Sequence, residues 1–378
     1  MKRVSFVIND FNFFYSHRFD LAKVLSNKFG YSIHIITSLE SAKVEQINEC
    51  KNFGIELIHL KARDTKLSVL KYLVDLSSIL KKGQFDKVVY VTLELSALGA
   101  LLSIFQKHQP TFVISGLGDN FFRKNFKFNL YRNLIISIIK ISGFRKHKRN
   151  IIFQNEEDLN LFSKLKISKK HTCFLIQGNG IDMDTFHALP RKTGSIDFTF
   201  CYAGRFSKEK GSDLLIKAFK QLQAKNPNKN LYLNLCLLTN QNNTRINEES
   251  FLEAQSIKNI RIFFDLSQKD LVYRLHESNI FVMPSRREGL PKAALEGAST
   301  GLPIIASNGP GVKDTVLEGF NGWHFESKNH QSLYEAMELV IQPSINIQEI
   351  GMNSRKYIQQ NFELNLIAEE YDNVLKNF

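Results

Sequence analysis

Short apolar runs alternate along this chain with longer stretches whose apolar positions recur every three or four residues. In the first half, Val4–Ile8, Ser32–Thr37, Ile55–Leu60, Lys87–Thr92, Thr111–Ser115 and Asn150–Gln154 read as strands. Phe19–Lys28, Leu67–Lys81 and Leu95–Lys107 are the clearest helices among them. In the second half, Phe198–Ala203, Leu231–Leu238, Ile260–Phe264, Ile280–Met283 and Pro303–Ala306 alternate with helical patterns in the same way. Continuous apolar strands separated by helices imply parallel sheets covered on both faces. The pattern therefore predicts an α/β chain of two doubly wound, Rossmann-like domains, residues 1–178 and 194–345, joined by a linker over 179–193. Ligands of such sheets sit at the carboxyl ends of the strands.

The stretch FVMPSRREGLPKAALEGASTGLPIIAS crosses one such end. Pro284 and Ser285 close a strand, Gly289 and Pro291 make a turn, and a helix should run from Pro291 to Thr300. Glu288 falls in the loop and Glu296, eight positions on, in the second helical turn. Carboxylates so placed would grip different parts of one long ligand, with the helix N-terminus between them as an anion site. Upstream, CYAGRFSKEKGSDLLIKAF crosses a second strand end. Gly204 allows a tight exit, Arg205 and Lys210 supply cations for phosphate oxygens, and Gly211 permits close backbone approach. Alone, the two cations are equally well read as solvated surface charges; the paired glutamates favour phosphate binding.

These residues carry a resemblance. Glu288 and Glu296 match the paired-glutamate motif of the retaining glycosyltransferases of family 4, and GRFSKEKG resembles that family's diphosphate loop. QGNGIDMDTF resembles its interdomain segment, while FFYSHRFDLAKVL, ISGLGDNF, IIFQNEEDL and PGVKD resemble the subgroup that extends bacterial lipid-linked glycans. The resemblance implies a GT-B architecture, two Rossmann-like domains facing a cleft, with helices over 346–378 crossing back to the first domain. It implies that Gly204, Arg205, Lys210, Glu288, Gly289, Leu290, Pro291 and Glu296 bind a nucleotide-sugar donor, Glu288 at the sugar hydroxyls and Glu296 at the ribose. It also implies a UDP-linked N-acetylgalactosamine or related hexosamine, an undecaprenyl-diphosphate-linked saccharide as acceptor, and retention of configuration.

Charge is unevenly divided. Residues 1–180 hold 28 Lys and Arg against 14 Asp and Glu, so nearly all of the net +13 belongs to the first domain. The segment Arg123 to Arg149 has nine cations (Arg123, Lys124, Lys127, Arg132, Lys140, Arg145, Lys146, Lys148 and Arg149), no acids, and interleaved Phe126, Phe128, Tyr131, Ile135, Ile138, Ile139 and Phe144. Such a segment suits the surface of an anionic bilayer, where each cation contributes about 1 kcal/mol. A core helix with solvated ends is the next reading. A nucleic-acid surface, lacking any accompanying fold signature, comes last. No apolar run approaches the roughly 20 residues of a membrane-spanning helix. MKRVSFVIND reads as a first strand rather than a secretory signal. Cys50, Cys173, Cys201 and Cys236 are scattered without zinc or disulfide spacing and suit a reducing compartment. A location in the cytoplasm, peripheral on the inner face of the membrane, follows.

The chemistry needs a stabiliser for the departing diphosphate. Asp182-Met183-Asp184 has a metal-binding spacing but lies in the linker and reads as a cap. Arg205, Lys210 and the helix N-terminus after Gly289 can supply that charge, with Arg205, Lys210 and Glu288 as the catalytic set and no metal or other cofactor. For the acceptor, Ser16, His17 and Arg18 after the first strand, with Gly116 and Glu94, are the candidates; the alternative for His17 is a helix cap. FNFFYSHR stands where the family has a glycine-rich loop, and a histidine frequent in its first domain has no counterpart near Ser115–Gly118. Rival readings are a nucleotide-sugar epimerase or hydrolase on the same scaffold, a transferase using a GDP- or ADP-sugar, and an inactive membrane-docking protein.

Overall fold

The structure, a computed structural model, describes residues 2–61, 68–105, 109–122, 125–143, 149–189, 197–239 and 248–376. It forms two compact units, Met1–Gly180 with Leu364–Phe378, and Ile181–Glu363.

Strands of the first unit are β1 (Arg3–Asp10), β2 (Ser32–Ser38), β3 (Glu56–His59), β4 (Lys87–Val91), β5 (Gln109–Ile114), β6 (Arg149–Phe153) and β7 (His171–Leu175). All pair in parallel in the order β3-β2-β1-β4-β5-β6-β7, so the order reverses between β1 and β4. Its helices are α1 (Phe11–His17), α2 (Phe19–Asn27), α3 (Val44–Asn52), α4 (Ser68–Gly83), α5 (Leu93–Phe105), α6 (Gly118–Phe122), α7 (Phe126–Ser142) and α8 (Glu156–Lys164). One core, on α1, α2 and α3, holds Phe6, Phe11, Phe14, Leu25 and Ile35; another, under α4, α5 and α7, holds Leu76, Tyr90, Leu95, Phe112 and Ile139.

The second unit has β8 (Asp197–Gly204), β9 (Asn230–Leu237), β10 (Ile260–Phe264), β11 (Ile280–Met283), β12 (Ile304–Ser307) and β13 (Gly322–Phe325). Their order is β10-β9-β8-β11-β12-β13, again all parallel, with the reversal between β8 and β11. Helices α9 (Ser212–Lys225), α10 (Glu248–Ser256), α11 (Gln268–His276), α12 (Lys292–Ser299), α13 (His330–Val340) and α14 (Ile347–Asn361) cover it.

Three features depart from the sequence reading. FNFFYSH, expected as a loop, is the helix α1: Asp10 accepts the Phe13 N–H at 3.1 Å, and Phe11 and Phe14, three apart, turn to the core. Strands β7 and β13 were not anticipated; both are short edge strands, β7 half-buried and β13 opened by a glycine, so neither shows a long apolar run. The C-terminal helices do not act as one element. Ser354 and Arg355 of α14 bond the Asn321 and Ser299 carbonyls at 2.8 and 2.6 Å, which keeps α14 in the second unit. Only the last helix, α15 (Leu364–Lys376), belongs to the first. There the Tyr31 hydroxyl donates to Asp372 at 2.9 Å and Asn150 to the Val374 carbonyl at 3.2 Å.

Two buried histidines sit in the first unit. His171 donates from Nε2 to the Ile139 carbonyl at 2.9 Å, tying β7 to α7, and burial holds its pKa below the ordinary 6.5. His34 lies 2.9 Å from Glu56 on β3; burial lowers its pKa and Glu56 only partly opposes this. The unfolded chain thus takes up protons near pH 6.5 that the folded chain resists. This part of the stability is full above that pH and is lost as pH falls below it. The thermal midpoint should drop between about pH 7 and about pH 5, and drop less in His171→Gln. An identical pH dependence in that variant would remove His171 from the account.

Candidate donor-binding site

The site grows from the sheet reversal of the second unit. β8 and β11 are neighbours whose following helices, α9 and α12, leave in different directions along the sheet order, which opens a crevice at their carboxyl ends. Two loops fill it: 205–211 after β8, and 284–291 after β11. They touch through backbone. A Cβ on Gly211, at φ +70°, would lie 2.0 Å from the Pro284 carbonyl oxygen, and Arg286 N–H donates to the Glu209 carbonyl at 3.0 Å. Gly211 was expected to let the backbone approach a ligand; what it approaches here is the second loop. From the other side, a Cβ on Gly309 would meet the Arg286 carbonyl at 2.4 Å, and one on Gly311 the Glu288 carbonyl at 2.3 Å. Ser307 completes the clamp by donating to the Ser285 carbonyl at 2.5 Å.

Side chains then converge. Lys210 Nζ donates to Glu288 Oε1 at 2.5 Å, both largely buried. The buried Tyr202 hydroxyl donates to the Arg205 carbonyl at 2.6 Å and holds that residue at the strand end. Burial raises the Tyr202 pKa, opposed by its hydrogen bond with Ser212, with smaller contributions from the charges of Glu288 and Arg205. The Arg205 side chain itself is exposed at the mouth of the loop. Glu296, 8% exposed, lies 3.4 Å from Lys292 one turn earlier on α12. The N-cap positions of α9 and α12 are Gly211 and Pro291, and neither supplies a side-chain cap. Side chains do cap α7, α8, α11, α13 and α14. Two helix N-termini with their dipoles aimed at the reversal are suited to an anion. Pro291 thus sits one position before the helix rather than opening it, and Leu290 is partly buried beside it.

The structure therefore brings Gly204, Arg205, Lys210, Glu288, Gly289, Leu290, Pro291 and Glu296 to one strand-end crevice. It adds residues that sequence reasoning passed over. Arg286 reaches Asp213 at 3.4 Å, and with Arg205 it helps hold the Glu209 carboxyl below its ordinary range, after that residue's own backbone N–H and the Ser207 hydroxyl. Gly309 is the other, the first glycine of a Gly-Pro-Gly after a strand whose second, Gly311, lies in the PGVKD segment noted above. Asp182 accepts from the Asp184 and Thr185 N–H groups at 3.0 and 3.4 Å, which makes it the cap of that turn. Among the described residues no group of three His, Cys, Asp or Glu is arranged to hold a metal ion.

The acceptor candidates lie at the carboxyl ends of β1, β4 and β5 in the first unit. Ser16 and His17 occupy the last turn of α1; Ser16 Oγ lies 2.7 Å from His17 Nδ1, and the imidazole stacks on Phe13 at 4.6 Å. Glu94 is exposed in the first turn of α5 and accepts from Tyr131 of α7 at 2.9 Å. Gly116 follows β5 at φ +123°. Arg18 requires correction: it is 1% exposed and donates inward to Tyr371 at 3.0 Å and Ser115 at 3.4 Å. Packing against α15 turns its guanidinium away from solvent, so it braces the fold. Between β4 and Glu94, Thr92 adopts φ +88°, a strained conformation for a β-branched residue and a feature with no sequence signal. Of the predicted membrane cations, Arg123, Lys124, Arg145, Lys146 and Lys148 lie outside the described residues. Lys127, Arg132 and Lys140 are on α7, whereas Arg149 is 7% exposed within β6 and corrects its assignment to a membrane surface.

Two doubly wound units, the second with Lys210, Glu288 and Glu296 at the carboxyl ends of its strands, define the class of fold. Residues 188–357 match the family model for glycosyl transferases group 1, and residues 3–155 that for glycosyl transferase 4-like domains. The chain belongs to the glycosyltransferases of family 4, enzymes of GT-B fold. It is 24% identical over 352 residues, 88% of this chain and 90% of the relative, to the N,N'-diacetylbacillosaminyl-diphospho-undecaprenol alpha-1,3-N-acetylgalactosaminyltransferase of Campylobacter jejuni. It is 28% identical to the capsular polysaccharide biosynthesis glycosyltransferase CapM of Staphylococcus aureus, over 64% of this chain and only 61% of the relative's length. Solved structures with the same fold include sucrose-phosphate synthase of Thermosynechococcus elongatus (TM-score 0.78, 15% identity, 100% and 98% of the two chains). Another is Anabaena HepE in complex with UDP and glucose (0.76, 13%, 100% of both).

Two glycines of similar backbone conformation test the clamp. Gly211→Ala must displace the Pro284 loop, whereas Gly319, at φ +72°, has open space around its Cβ position. Gly211→Ala should weaken nucleotide binding by at least about tenfold in calorimetry and Gly319→Ala should leave it unchanged, although both add about 1–2 kcal/mol of backbone strain. Equal behaviour of the two would show that strain alone, not loop contact, matters.

Proposed function

We propose that this enzyme is a retaining transferase that moves a sugar, best read as N-acetylgalactosamine or a related hexosamine, from UDP to an undecaprenyl-diphosphate-linked saccharide. The product would extend an O-antigen, capsule or related glycan, with the first unit working on the inner face of the cytoplasmic membrane against an anionic surface. The observation that carries the reading is the Lys210–Glu288 ion pair beside the start of α12, with Arg205 in the same loop as Lys210 and Glu296 farther along that helix. In this reading Arg205, Lys210 and the N-terminus of α12 hold the diphosphate and stabilise the charge that builds as the sugar leaves. Glu288 takes the sugar hydroxyls and Glu296 the ribose. The bond from the anomeric carbon to the phosphate oxygen breaks as the acceptor oxygen attacks the same face, and the acceptor's proton passes to the departing phosphate. The Campylobacter relative supports the acceptor class and the sugar, and the HepE complexes support UDP.

Thermal shift against UDP, GDP, ADP and their sugars should give selective stabilisation by UDP and UDP-N-acetylgalactosamine. Preference for GDP- or ADP-sugars would discard the hexosamine reading. Transfer to a lipid-diphosphate saccharide should persist in excess EDTA. Glu296→Ala should chiefly weaken donor binding, and Arg205→Ala should lower turnover by roughly 10²–10³. Full activity in both variants would reject the donor site.

A further inference from the structure

The helix α7 is amphipathic in an unusual sense: both of its faces are apolar. Ile135, Ile136 and Ile139 pack into the core beneath it. On the opposite side Phe126, Leu130, Leu134 and Ile141 are 84%, 61%, 58% and 52% exposed. Spacings of four, four and seven residues put these side chains on one stripe of a helix. The whole helix FKFNLYRNLIISIIKIS contains no acidic residue, and its charges are Lys127, Arg132 and Lys140. Across α5, which packs against both neighbours, α4 has a similar pair: Leu70 and Val74, four apart, are 72% and 60% exposed, and the helix carries Lys71, Lys81 and Lys82 against the single acid Asp75. An exposed aliphatic and aromatic stripe among cations is what folding alone would not retain, because each such side chain gains by leaving water.

Position adds a second argument. α4 and α5 start at the carboxyl ends of β3 and β4, and the 2.9 Å bond from Tyr131 to Glu94 brings the first turns of α7 to that same edge. The exposed Leu70, Val74, Phe126 and Leu130 thus border the edge that carries Glu94, Thr92 and Gly116.

We infer that α7 and α4 form a bilayer-seated face of the first unit, whose stripe of Phe126, Leu130, Leu134, Ile141, Leu70 and Val74 enters the acyl boundary of an anionic membrane while the lysines meet the headgroups. The inference rests on the lipid-linked acceptor proposed above and changes the force involved. Apolar insertion holds the unit, so attachment survives salt that would screen a purely cationic contact. It also aims the acceptor edge at the lipid that carries the substrate.

Co-flotation with phosphatidylglycerol-containing vesicles tests this, at low salt and at about 0.5 M salt, where exposed charges are screened within a few ångströms. The full chain should float in both conditions. Leu130→Glu combined with Leu134→Glu should lower vesicle binding at least about tenfold, and Leu339→Glu, on the second unit, should not. UDP stabilisation and thermal midpoint, read in parallel, should stay unchanged in all variants. Undiminished flotation of the double variant, or complete release of the unaltered chain by salt, overturns the inference. So does a dimer in light scattering that the double variant dissociates while no form binds vesicles. A chain that floats as expected but answers to no nucleotide keeps the membrane face and rejects the transferase reading.

Discussion

The second unit depends on backbone meeting backbone. At the reversal between β8 and β11, the loop 284–291 is held between Gly211 on one side and Gly309 and Gly311 on the other, with carbonyls at distances no Cβ could tolerate. Each contact is only a van der Waals approach, yet together they leave the loop one path. That path puts Glu288 against Lys210 and brings Pro291 in at the angle that starts α12 with its N–H groups facing the crevice. A site that stabilises a developing charge works because its dipoles are fixed beforehand. Here the fixing is done by the absence of side chains at three positions.

Much of this was legible in the sequence. Alternation of apolar runs with helical periodicity located most strands within a residue or two, because strands buried on both faces must be apolar throughout. The glutamate pair and the cations after β8 were legible because chemistry restricts residue type at a strand end. What escaped lay where those two rules are silent. β7 and β13 are short edge strands, β7 half-buried and β13 only four residues long and opened by a glycine. α1 follows β1 without an intervening turn residue, its start marked only by Asp10. The opposite fates of α14 and α15 were hidden because both are ordinary amphipathic helices, and only partners such as Asn321 and Ser299 for one and Tyr31 for the other tell them apart. Arg18 and Arg149 show the same limit: an arginine's sequence position says that it is charged, not whether its fork is satisfied inside the protein.

In α7, charge and burial together leave out how the apolar residues are distributed around the helix. Counting cations treats the helix as a rod with a uniform surface. The structure divides it, and the apolar residues fall on both sides, Ile135 and Ile139 inward and Leu130 and Leu134 outward. The core-helix reading, set against the membrane reading on sequence, holds for the face of Ile135 and Ile139, and the exposed face of Leu130 and Leu134 is the one on which the proposed membrane contact rests.

The Lys210–Glu288 pair finally bears on how an ion pair can belong to a binding site. Both side chains are largely buried, at 21% and 15% exposure, where a charge depends on its partners. A donor that offers a diphosphate to Lys210 and hydroxyls to Glu288 replaces that pairing with contacts of matching sign on each side. Neither charge then has to be desolvated afresh when the ligand arrives, because folding has already removed most of their water. A ligand with only the phosphate, or only the sugar, satisfies one partner and leaves the other to its former mate. In the function proposed above, the arrangement would select for a molecule that carries both groups a few bonds apart, as a nucleotide-linked sugar does.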